Sequence, residues 1–62
     1  MKWSEVTEYD KEVIIDLWDK GWMPEDMEDE AGIPLEGIYR TLVERGRIKP
    51  EENPYEYDDQ ED

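Results

Sequence analysis

Four cations crowd into ten residues of this chain: Arg40, Arg45, Arg47 and Lys49. Guanidinium and ammonium groups gathered this closely can neutralise the phosphates of a nucleic acid and release its counterions. Between Ile38 and Pro50 only Glu44 opposes them, so four positive charges less one negative leave a local net of +3. The whole chain of 62 residues carries -13, and the remainder is therefore -16. The second concentration of charge is the run Glu25-Asp26-Met27-Glu28-Asp29-Glu30. It lacks the alternating ligands and central glycine of a calcium loop, and on a helix its carboxylates spread around most of the circumference. A solvated or partner-facing acidic surface is the expectation, with no metal and no cofactor.

Catalytic chemistry finds little to work with. There is no His and no Cys, so Ser4, the single serine, has no imidazole to activate it. A chain this short also buries only about 60% of the surface its unfolded form exposes, too little to frame a deep pocket. The expectation is a single non-enzymatic domain with one small core. No apolar run reaches the length of a membrane span and the N-terminus has no signal-peptide pattern, which points to a soluble, cytoplasmic protein.

Three elements must position these charges. Tyr9, Val13, Ile14, Leu17 and Trp18 form one stripe at helical period, which predicts a first helix from about Asp10 to Lys20, with Asp10 as its N-cap and Gly21 as its stop. Pro24 suits the first position of a second, short helix, Glu25 and Asp26 suit its positive end, Met27 and Ala31 face inward, and Gly32 ends it. A third helix starts at Pro34 or Leu35 and ends near Arg45 before Gly46. Leu35, Ile38, Tyr39, Leu42 and Val43 share its inner side; Glu36, Gly37, Arg40, Thr41 and Glu44 share the outer. The lead-in spans Met1 to Glu8, the patterned body Tyr9 to Arg47, and a Pro-punctuated acidic stretch follows from Ile48 to Asp62. In that stretch Tyr55 and Tyr57 alternate with acids, which fits either a short wing-like β-hairpin or an extended, disordered acidic tail; the tail is favoured.

Gly21, Met27, Gly32, Ile33, Ile38, Tyr39 and Leu42 resemble the helix-turn-helix pattern of resolvase and invertase DNA-binding domains, and also of small-terminase and Myb-like domains. "DKGW" is similar to the break after the opening helix, "AGIPLEGIYRTL" to the turn and recognition helix, and "KWSE" to the Trp that opens Myb-like domains. The resemblance covers about two thirds of the chain. It implies an all-α, three-helix helix-turn-helix bundle. The chain departs from the pattern at Glu28, where a small Ala is usual, at Pro34 in place of a polar N-cap, and at Leu35 and Glu36, where polar or basic side chains usually face DNA.

Two functions follow. The first is a small DNA-binding or transcription-regulatory protein on double-stranded DNA, with Arg40, Arg45, Arg47 and Lys49 on phosphates and Glu36, Arg40 and Thr41 near bases. Long-range repulsion from 20 acidic residues opposes it, and high salt, as in a halophile, would screen that repulsion. The second is an acidic module, of the kind found in phage or viral proteins, that binds a basic protein by standing in for nucleic-acid charge. Its contact residues would be Trp22, Glu25, Asp26, Asp29 and Glu30.

Overall fold

A computed structural model describes residues 3–55 and is an all-α three-helix bundle. After a single 3-10 turn, Trp3–Glu5, come α1 (Glu8–Asp19), α2 (Pro24–Ala31) and α3 (Leu35–Glu44), each packed on the other two. A second 3-10 turn, Pro50–Glu52, follows. Among the described residues no helix is long and apolar enough to cross a membrane.

The start of α1 differs from the expectation. Thr7 is the N-cap, not Asp10. The Asp10 amide donates to Thr7 Oγ1 at 3.1 Å, and the Thr7 amide donates back to Asp10 Oδ2 at 3.1 Å. This reciprocal pair satisfies two backbone donors that a helix start would otherwise leave open. Asp10 thus serves from inside the first turn, where its charge also meets the positive helix end.

The three helices end on glycine in two ways. All three glycines are left-handed, with φ 97° at Gly21, 70° at Gly32 and 75° at Gly46, and those after α1 and α3 share one closure. In both, the glycine amide donates to the carbonyl three residues back (Trp18, 2.9 Å; Val43, 3.0 Å). The next amide reaches five back (Trp22 to Leu17, 3.0 Å; Arg47 to Leu42, 2.8 Å). This pair of bonds is a Schellman closure, and it pins the residue after the glycine to the helix it has just left. α2 closes more simply, through one bond from the Gly32 amide to the Glu28 carbonyl at 3.0 Å. Only Gly32, Ile33 and Pro34 separate α2 from α3.

The core is Val6, Ile14, Leu17, Met27, Ile33, Ile38 and Leu42, with Val13, Ile15, Trp18, Ala31 and Ile48 packed around it. Val6 comes from the expected lead-in and Ile48 from the expected tail, so both flanks help close a core that three short helices cannot fill alone. Gly37 stands inside α3, where glycine costs about 1 kcal/mol against alanine; a Cβ there would lie 3.1 Å from Ile33 Cγ2 and 3.6 Å from Val6 Cγ2, so α3 passes close to the turn and the lead-in at this point.

Three side chains fall elsewhere than expected, and a fourth, Glu28, falls where the sequence left the choice open. Tyr9 is 74% exposed: the buried stripe of α1 centres on Ile14 and Leu17, and Val6 fills the space at that end. Leu35 is only half-buried. Glu28 is exposed, so no carboxylate occupies a crevice beside α3. Thr41 is fully buried rather than on the outer face, because its hydroxyl donates to the Gly37 carbonyl one turn back at 2.8 Å and so enters the core with its polar atom satisfied.

No strand forms among the described residues. The stretch that would have been the turn of a wing forms a 3-10 turn begun by Pro50 and held by the Lys49 amide donating to Glu52 Oε1 at 2.8 Å. Tyr57, the other half of the alternation, and the acidic end Asp58 to Asp62 lie outside the described residues.

Candidate functional site

The basic cluster gathers at the C-terminal end of α3, but most of it is not presented to solvent as open charge. Arg45 donates from Nη2 to Glu8 Oε2 at 2.8 Å, with Glu44 Oε1 3.8 Å from its Nε. Arg47 grips Asp19 with two bonds, Nε to Oδ1 at 3.2 Å and Nη2 to Oδ2 at 3.3 Å, and its Nη1 donates to the Arg45 carbonyl at 3.4 Å. Lys11 joins the same network, 3.0 Å from Glu44 and 3.7 Å from Glu8. These pairs tie the start and end of α1 to the end of α3. Arg47 is held on the backbone side as well, since it follows Gly46 in the Schellman closure. Between the helices an open concavity of about 610 Å³ has Arg45 and Arg47 on one side, Glu12, Asp16 and Asp19 on the other, and Ile15 among its lining.

The other expected DNA contacts divide. Glu36 is exposed in the first turn of α3, where its charge suits the helix dipole. Arg40 is half-buried and Lys49 exposed. Thr41 is buried and cannot touch a base. Beside Arg40, Tyr39 packs on Tyr55 with ring centroids 5.7 Å apart and planes at 48°. Asn53 shapes that approach by accepting the Tyr55 amide on Oδ1 at 2.9 Å. Burial raises the Tyr39 pKa above its ordinary value, and Glu25 and Tyr55 push in the same direction.

The acidic residues are arranged differently. Glu25, Asp26, Glu28, Asp29 and Glu30 are all exposed, and among the described residues none of them forms an ion pair. Asp26, Asp29 and Glu30 line an open concavity of about 540 Å³ with Lys20, Gly21 and Trp22, while Glu25 lies toward Tyr39. Among the described residues no group of three or more acids is arranged to hold a metal ion.

The chain matches no protein-family model, no curated protein and no solved structure. Its function has to be read from these two surfaces. The sequence pattern had marked Arg45, Arg47 and Trp22 but not Glu8, Asp19 and Lys11, which neutralise or flank the arginines from 28 and more residues away or across the bundle. Nor had it marked Met23, which is 57% exposed beside Trp22.

Proposed function

We propose that the chain is a small helix-turn-helix DNA-binding protein, acting in the cytoplasm as a regulator on double-stranded DNA. The observation that carries this reading is the α2–turn–α3 unit. Met27, Ile33, Ile38, Thr41 and Leu42 are buried beneath it, and a three-residue turn leads into α3 with Glu36 and Arg40 on the side away from that core. In a helix-turn-helix the N-terminal part of the second helix meets base edges. Arg40 can donate to guanine, and Glu36 can accept from cytosine N4. Arg45, Arg47 and Lys49 follow at the far end, in place to meet phosphate.

The ion pairs make this binding conditional. Arg45 and Arg47 must exchange Glu8 and Asp19 for phosphate oxygens, while the net charge of -13 repels the duplex. Ordinary DNA binding weakens steeply with salt, by a slope of about -0.9 per phosphate neutralised. Here salt also screens the repulsion and loosens exposed pairs, the Debye length falling from about 30 Å at 0.01 M to about 3 Å at 1 M. Affinity that is flat or rising with salt is therefore expected. Titration of a fluorescent mixed-sequence duplex across a salt series tests this; absence of binding at every salt concentration would overturn it.

A further inference from the structure

We propose that Trp22 and Met23, framed by Asp26, Asp29 and Glu30, form a docking surface for a basic segment of a partner protein, separate from the α3 face. Large apolar side chains left in solvent mark interaction sites when they are grouped and rimmed by polar residues. Trp22 is 37% exposed and Met23 57%. They are neighbours in the four-residue link between α1 and α2, and Trp22 shares its concavity with the three carboxylates.

The backbone beneath the patch is fixed from both sides. The Trp22 amide is bonded to the Leu17 carbonyl of α1, and the Met23 carbonyl accepts the Asp26 and Met27 amides of α2, each at 3.0 Å. A surface held in this way loses little freedom when a partner arrives.

Charge complementarity names the occupant. The three carboxylates have no ion-pair partner among the described residues, and Lys20, the one cation lining the concavity, is already engaged by Asp16 at 2.9 Å. An arginine or lysine of a partner can lie over the Trp22 ring while its charge meets Asp29 or Glu30. Stacking of this kind contributes about 0.5–1 kcal/mol when exposed and about 2 when desolvated. A nucleic acid has the wrong sign for this surface.

The full chain, labelled with ¹⁵N, gives indole N–H signals for its three tryptophans, and Trp22→Phe assigns one of them. Titration with an octa-arginine peptide is expected to shift the Trp22 indole and the Asp26–Glu30 amides first. Asp29→Asn with Glu30→Gln is expected to weaken the peptide about tenfold, a loss of about 1.4 kcal/mol, with far-UV circular dichroism unchanged. Trp22→Ala should weaken it at least as much; if that variant fails to fold, the double carboxamide variant decides alone. Peptide binding that leaves the Trp22 indole unmoved would mean attraction to acidity in general and would overturn the docking surface, as would no binding at all. Neither result bears on duplex binding by α3, which is read separately.

Discussion

Trp22 and Arg47 occupy the same structural position at the ends of two different helices. Each follows a left-handed glycine, and each donates its amide five residues back in a Schellman closure. There the likeness ends. Arg47 has its guanidinium clasped by Asp19 and its neighbour Arg45 clasped by Glu8. Trp22 stands among three carboxylates that no described cation neutralises. The same local device thus builds two surfaces in opposite electrostatic states, one self-neutralised and one open. In a molecule with 20 acids and seven bases, a cation's neighbours decide its availability more than its own charge does. The open surface has its charge free from the start, whereas the α3 end must first break bonds within the chain.

Both surfaces depend on one core, and removing part of it should erase the contrast altogether. Ile38 is fully buried where α3 meets the rest of the bundle. Ile38→Ala is expected to lower unfolding stability by about 2–5 kcal/mol through lost burial and the cavity left behind. For a domain of this size that is a large part of the total. Urea unfolding followed by tryptophan fluorescence measures it, and a loss below about 1 kcal/mol would mean the core is looser than the burial implies.

A charge-matched pair of variants sharpens the contrast. Glu8→Gln with Asp19→Asn and Asp26→Asn with Asp29→Asn each remove two negative charges, taking -13 to -11. The first removes the Glu8 pair of Arg45 and the Asp19 pair of Arg47, leaving Arg45 only Glu44 at 3.8 Å among the described residues; the second leaves every described ion pair intact. Duplex affinity at about 0.1 M salt is expected to rise about tenfold, or about 1.4 kcal/mol, in the first and far less in the second. Equal gains would show that overall charge governs binding and that the ion pairs are incidental. The stability lost in the first variant should be small, about 0.2–1 kcal/mol per pair, because the partners are exposed.

Thr7→Ala probes the anchor of the α1 end that carries Glu8. It removes the hydroxyl that accepts the Asp10 amide and should cost about 1 kcal/mol in a urea titration. No measurable loss would mean that solvent caps the helix as well as Thr7 does.

The course of the helices was legible because glycine and proline mark it: Pro24 at the first position of α2, and Gly21, Gly32 and Gly46 beyond the three ends. The start of α1 was obscured because Asp10 has the chemistry of an N-cap and sits three residues after the true one, completing a reciprocal cap. Thr41 reads as outer by its hydroxyl alone, although three residues after Ile38 it lies on the same side of the helix. A threonine that can donate to the carbonyl four residues back is able to be buried, and Gly37 supplies that carbonyl. The arginine cluster was plain, whereas its neutralisation was not. Glu8 lies 37 residues from Arg45, and Asp19 lies 28 from Arg47. No local period encodes pairs that only the packing of α1 on α3 brings together.

Tyr39 gives the smallest effect and touches both faces of the comparison. Its ring, half-buried on α3, packs on Tyr55, and Glu25, at the start of the acidic helix, acts on its hydroxyl. Burial first, then Glu25 and Tyr55, hold that proton more tightly than the unfolded chain does. A raised folded-state pKa means that the unfolded chain releases its proton first as pH climbs. Stability from this group is therefore full below the unfolded value near 10 and is lost as pH rises through the folded value. Unfolding stability should be level with respect to Tyr39 at neutral pH and decline above about pH 10. Tyr39→Phe has no proton to lose, so its stability should fall less steeply over the same range. Chemical denaturation of both proteins at matched pH isolates the difference, since the other tyrosines titrate in each. If the two curves stay parallel above pH 10, neither burial nor the acidic start of α2 acts on the Tyr39 hydroxyl, and that link between the two surfaces is absent.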